Sequence, residues 1–191
     1  ADLFCTTSEG VRGKRAVEWG VVDATAPRSK FAELVKERSQ ALAKSAGGAK
    51  VRGPGIELDA VVPAIEGTTY RYRHVTLVVD PVARTARLTV AAPDTDAPAT
   101  PAAIQAAGAS QWSLRAFREL DDALLRLRIE HLDVGLVVLE TTGDAQKVLA
   151  SDCALAAHRE HWLANVILLL QARVLRRLDL TSKSLFAVGA K

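Results

Sequence analysis

The chain has 191 residues, 49% hydrophobic and 25% charged, with a net charge of +3 and a pI near 9.0. That length allows one or two domains with a buried core, and the composition is that of an ordinary folded protein. Basic residues are spread along the chain, with local clusters at Arg71/Arg73 and Arg173/Arg176/Arg177. No long like-charge block suggests a nucleic-acid arm. The longest apolar run, Trp162–Leu170, is too short to span a bilayer.

Two cysteines, Cys5 and Cys153, stand far apart and outside any CxxC or zinc spacing. A reduced, cytoplasmic protein is expected, and nothing at the start reads as a signal peptide. Met is absent, even at position 1, which points to a processed start or to an excerpt of a longer chain.

In chain order, Ser8 and Glu9 precede a short helix, Val11–Trp19, closed by Gly20. Val21–Asp23 is a brief apolar exit that Pro27 ends. Ser29 caps a helix from Lys30 to about Ala46, with Phe31, Leu34, Val35 and Leu42 on one face. Residues 47–69, with several glycines, Pro54 and Pro63, read as a linker and the domain boundary. Within it, Ile56–Val62 could be extended.

Tyr70–Asp80 reads as one half-buried strand, and Thr85–Val90 as its return. Ala92–Gly108, rich in Pro and Ala, reads as a long loop. Ser113 is expected to cap an amphipathic helix from Leu114 to about His131, with Leu114, Phe117, Leu120, Leu124, Leu127 and Leu132 as its buried stripe. Val134–Thr141 is apolar enough for a central strand covered on both faces. Thr142–Asp152 follows as a loop, Leu155–Leu178 as a long helix, and Lys183–Val188 as the next strand. Helix-linked apolar strands imply parallel pairing and an α/β class.

Few side chains announce chemistry. His158 and His161 would share a helix face near Glu160, but two histidines without a third ligand make a weak metal signal. Cys5 has no paired base and reads as a small buried residue. The glycines at 47, 48, 53 and 55 fit neither a P-loop nor a dinucleotide fingerprint. Arg173, Arg176 and Arg177 could hold a phosphate or simply favour the helix C-terminus.

The strand hairpin, then W-S-L-R-A-F-R-E-L-D-D-A-L and V-V-L-E-T-T-G, resembles the opening of a domain of the crotonase, or enoyl-CoA hydratase, superfamily. The segment G-V-R-G-K-R-A-V-E-W-G-V-V-D resembles a late piece of the same family. The resemblance thus implies a crotonase-like (ββα superhelix) α/β fold in which residues 1–46 are the C-terminal helical part of a first unit. Residues 70–191 are then the N-terminal part of a second. The wording F-C-T-T-S-E-G-V-R-G-K-R-A-V-E-W, H-R-E-H-W and L-D-L-T-S-K-S-L-F-A is similar to family members of aerobic benzoate breakdown. These open an epoxidised benzoyl-CoA ring with water and release formate.

What the resemblance implies is a CoA-thioester substrate, no metal or redox cofactor, no nucleic-acid or membrane partner, and a homo-oligomer in the full-length protein. It also implies an oxyanion hole, in which backbone N–H groups hold the thioester carbonyl. Its first donor would fall at Ala150, Ser151 and Asp152. Ala150 matches the family alanine, and Ser151 stands where glycine is usual. Asp152 is either at the donor position or the family aspartate shifted by one. Read from the residues alone, the same stretch is a helix N-cap with Asp152 before Leu155. Hydration of an epoxide needs a carboxylate, and Glu140 at the strand end is the local candidate; a solvent-facing strand-end carboxylate is the plainer alternative. Two further readings stand beside the lyase: a noncatalytic crotonase-like scaffold or dimerisation segment, and a plain enoyl-CoA hydratase or isomerase.

Overall fold

A computed structural model describes residues 10–45 and 55–188. The chain divides into two compact units, Ala1–Pro54 and Gly55–Lys191.

In the first unit, helix α1 spans Gly13–Glu18 and ends at Trp19, with Gly20 at φ +66°. That left-handed residue is the C′ glycine expected from the sequence. The Arg15 guanidinium stacks on the Trp19 ring, 4.7 Å from its centroid. The expected cap at Ser8 and Glu9 lies outside the described residues. A 3-10 turn, Arg28–Lys30, leads into α2, Phe31–Ser45. Ser29 sits inside that turn, which has no side-chain cap. Of the apolar face expected on α2, Leu34 is half-buried, while Phe31, Val35 and Leu42 are exposed.

The second unit is a six-stranded sheet with helices. Its strands are β1 Ala64–Glu66, β2 Thr69–Arg71, β3 Val75–Asp80, β4 Thr85–Ala91, β5 Leu136–Thr142 and β6 Ser184–Val188, ordered as in sequence. The first four form an antiparallel meander; β4, β5 and β6 are parallel, as the helical crossovers require. The sheet starts before Tyr70, because Gly67 at φ +59° turns β1 directly into β2. Residues 56–62 form no strand.

The run Tyr70–Asp80 is two strands, not one. β2 folds back on β3 with Tyr70 opposite Leu77, and the Tyr72 N–H donates to the Val75 carbonyl at 2.8 Å. No Gly, Pro, Asn or Asp marks this turn. Side chains of helix α4, Trp112–Ile129, hold it instead. The Glu119 carboxylate accepts the His74 N–H at 2.7 Å, and Asp122 accepts the Tyr72 hydroxyl at 2.6 Å. Desolvation and the Asp122 carboxylate beside it push the Tyr72 phenol well above its ordinary range.

The core lies between β3–β5 and α4. Val75, Leu77 and Val79 alternate inward from β3, and Ala86 and Leu88 from β4. They meet Leu120, Ala123, Leu124 and Leu127, one face of α4 at helical spacing. Leu132 lies past the helix end and is exposed, so the expected stripe stops at Leu127. The cap of α4 is Gln111, whose Oε1 accepts the Leu114 N–H at 2.7 Å. Ser113, expected as the cap, is buried in the first turn. β5 is central, but only Val137 in it is fully buried; its other apolar residues are half-covered. β6 is exposed along its length.

Two helices emerge from stretches read as loop. α3, Pro101–Ala107, begins at Thr100, whose hydroxyl accepts the Ala103 N–H at 3.2 Å, with Pro101 at the first position. Its Ile104 is fully buried. α5, Ala145–Ala157, starts ten residues before the expected Leu155. The expected long helix is broken at residues 158–161, and α6 runs over Trp162–Asp179.

Burial holds the His74 imidazole below its ordinary pKa, against the opposing pull of Glu119. A histidine depressed in the folded state binds its proton more readily when unfolded, so stability rises with pH through this range. Stability is therefore expected to be full above the ordinary histidine value and to fall as pH drops below it. Urea titrations between pH 8 and pH 5 should show that slope, and His74→Gln should flatten it. An unchanged slope in the variant would place its origin elsewhere.

Candidate functional site

The parallel strands set the position of the site. At the C-terminal ends of β4 and β5, beneath α4, α5 and α6, lies a cavity of about 740 Å³. Open ends of parallel strands are where α/β sheets place ligands. Leu139 and Thr141 face it as alternate residues of β5, beside Val90, Ala91 and Ala92 of the β4 end. α4 contributes Trp112, Ala116, Phe117 and Leu120. α5 contributes Ala145, Val148, Leu149 and Asp152, whose spacing puts them on one helix face. Leu175 and Leu178 of α6 complete the wall.

Three local features fix this shape. The Trp112 indole N–H donates to the Ala91 carbonyl at 3.0 Å, which orients the ring against the strand end. Gly143, at φ +93°, turns the chain out of β5, and the Ala92 N–H bonds the Thr142 carbonyl at 2.8 Å across that turn. Asp144 then caps α5, its Oδ1 accepting the Gln146 N–H at 2.8 Å. The charged residues that line the cavity are both acids, Asp144 and Asp152. Asp152 Oδ1 accepts a hydrogen bond at 3.0 Å from Nε2 of Gln171, a buried residue of α6. The cavity is thus largely apolar with acceptors at its wall, a setting for a neutral group and poor for an anion.

The site residues expected from sequence are scattered. Ala150, Ser151 and Asp152 lie inside α5, not in a turn. Backbone N–H groups in a helix interior donate to carbonyls four residues back, so these are not free to hold a thioester oxygen. The expected half oxyanion hole is corrected for that reason, and the N-cap reading moves from Asp152 to Asp144. Ser151 is buried with its hydroxyl 3.0 Å from that of Ser113. Glu140 sits between Leu139 and Thr141, so strand alternation turns it away from the cavity. It stands 3.5 Å from Arg87 Nε and 3.5 Å from the Thr89 hydroxyl, as a strand-end carboxylate paired on the open face.

His158 and His161 do not share a helix face. They flank the break between α5 and α6, where His158 Nε2 lies 3.0 Å from the Ala99 carbonyl. Among the described residues no group of three potential metal ligands occurs. Arg173 and Arg177 pair with Asp121 at 3.1 and 3.0 Å, a role that neither a phosphate site nor the helix C-terminus had suggested. Cys153 is exposed and unpaired on α5; Cys5 lies outside the described residues. No helix among the described residues is long and apolar enough to cross a membrane.

Sequence reasoning missed Asp144, Gln171 and the cavity role of Trp112 and Phe117. The 145/148/149/152 spacing was available, but it is hidden once residues 142–152 are read as a loop.

No family model matches the chain. Among curated proteins, it is similar to the benzoyl-CoA-dihydrodiol lyase of Aromatoleum evansii, at 42% identity over 98% of this chain and 34% of the relative. The chain therefore spans about a third of the length of the curated relative it matches.

Proposed function

We propose that the chain is a segment of a CoA-thioester lyase of aromatic degradation. In this reading, water opens the ring of 2,3-epoxybenzoyl-CoA and formate is released. The observation that carries this is the 42% identity to a benzoyl-CoA-dihydrodiol lyase, which runs along nearly the whole chain. The cavity is compatible with it: its largely apolar wall suits the ring of such a substrate, its volume leaves room for more than the ring, and its acids disfavour the phosphates of CoA. A crotonase-like fold, without a resident cofactor, and a homo-oligomeric full-length protein belong to the same proposal. The parallel β4–β5–β6 sheet with crossover helices supports the fold.

A second reading, a noncatalytic scaffold, is favoured by one observation. Glu140 and the 150–152 backbone, the groups expected to act, do not meet in the cavity. Formate release from 2,3-epoxybenzoyl-CoA by the full-length protein tests the first reading; its absence would sink it. The two are separated by Ala116→Phe, which fills the cavity from α4. A lyase that uses this cavity should lose about tenfold or more in kcat/KM. If the segment is only a scaffold, the full-length protein should keep its turnover. The 191 residues alone are expected to release no formate, since the carboxylate they were expected to supply lies off the cavity.

A further inference from the structure

The outer face of α6 is left unused by the packing of its own unit. Leu163, Ala164, Ile167 and Val174 are buried on the inner side of the helix. Trp162, Val166 and Leu169 are exposed on the opposite side, at spacings of four and three that align them on one stripe. Arg173 and Arg176 continue the same line toward the helix end. Single exposed apolar residues are ordinary, but a Trp, a Val and a Leu in one line form a patch of the kind that marks contact with another protein. Trp and Arg are also the side chains that interface centres favour.

The charges along the stripe choose the partner and its direction. Its second half is cationic, and Glu160 stands just ahead of its first half. Arg173 bonds Asp121 at 3.1 Å but keeps most of its side chain exposed. Among the described residues, the side chains of Arg176 and Glu160 have no hydrogen bond or ion pair. Two such helices laid parallel would set arginine against arginine. Laid antiparallel, each half meets its complement.

We propose that α6 is the contact helix of a twofold homodimer, packed antiparallel on α6 of a second copy. This names the surface for the homo-oligomer included in the reading above and rests on that part of it alone. With the twofold axis between Ile167 and Leu168, Val166 meets the second copy's Leu169. Trp162 meets the second copy's Arg173 as a cation–π pair. Glu160 comes within reach of the second copy's Arg176. Each contact occurs twice, as an isologous interface requires.

The test is analytical ultracentrifugation of the full-length protein, with circular dichroism as a check on folding. The wild type is expected to sediment as a dimer or an assembly of dimers. Leu169→Lys should weaken the association about 100-fold or more, since each interface carries the change twice. Glu160→Arg and Arg176→Glu should each weaken it about tenfold, and together they should restore it to within about threefold of wild type. The two residues lie about 24 Å apart along one copy, so only a contact between copies can couple them. A monomeric wild type overturns both the inference and the homo-oligomer reading. An oligomer that Leu169→Lys leaves unchanged overturns the inference alone. Should Leu169→Lys fail to fold, the charge reversals decide: restoration by the double variant supports the interface, and its absence overturns it.

Discussion

Replacing Glu119 by alanine is expected to lower the stability of the sheet unit by about 3–5 kcal/mol, the cost of breaking a buried ion pair from one side. Glu119 is fully buried on α4 and has two partners on opposite sides. One oxygen accepts Arg115 Nε at 2.6 Å, and the other accepts the His74 backbone N–H at 2.7 Å. Removing the carboxylate leaves an N–H of the β2–β3 turn unsatisfied and an arginine, 19% exposed, without its near partner. Glu119→Gln keeps an acceptor for the N–H and should lose only about 1–2 kcal/mol. Urea unfolding of the three proteins measures both. An Ala variant within about 0.5 kcal/mol of wild type, the range of an ordinary surface change, would show that the carboxylate is not holding the turn. The effect should reach the site, because α4 also carries Trp112, Ala116 and Phe117 into the cavity.

That tie also explains what could be read from the sequence and what could not. The amphipathic stripe of α4 from Leu114 to Leu127 was legible because helical spacing alone specifies it. So was β5, whose apolar run becomes the centre of the parallel strands. The β2–β3 turn was not legible. Its residues, Tyr72-Arg73-His74, include no turn former, and the turn is held by Glu119 and Asp122 from 45 to 50 residues away. Local pattern cannot report a contact at that distance.

Two other elements do carry local signals. Thr100-Pro101 is a cap followed by an N1 proline, and Asp144 after Gly143 is a turn followed by a cap. The second of these starts the helix that holds Ala150–Asp152, where no oxyanion turn can form. The break at residues 158–161 carries no Gly or Pro. Of the candidate site residues, only Asp152 reaches the cavity. Its partner Gln171 was invisible because a buried amide on an apolar helix has no pattern of its own.

The cavity is an extension of the core. Leu120 belongs to the packed cluster between sheet and helix and also lines the open space. Strand ends and helix starts diverge there, and the gap is kept open by backbone turns with little spare room. Gly143 is the tightest of these.

Gly143→Ala is accordingly expected to destabilise by about 3 kcal/mol, from two sources. At φ +93° a side chain is strained whatever its surroundings. In addition, a Cβ would stand 2.9 Å from the Ala92 Cβ and 3.4 Å from the Ala92 nitrogen. Ala92 cannot yield freely, because its N–H is bonded to the Thr142 carbonyl at 2.8 Å. Moving it opens that bond and shifts two cavity-lining residues together. Gly67→Ala separates the two sources, since Gly67 has φ +59° but open space around it. It should lose only about 1 kcal/mol, the backbone part alone. Chemical unfolding of both variants reads the difference directly. If they lose the same amount, the close approach of Gly143 to Ala92 contributes nothing, and the rim of the cavity is softer than its geometry implies. If Gly143→Ala loses the larger share, the same variant should also weaken thioester binding by the full-length protein, because relieving the clash means moving the end of β4.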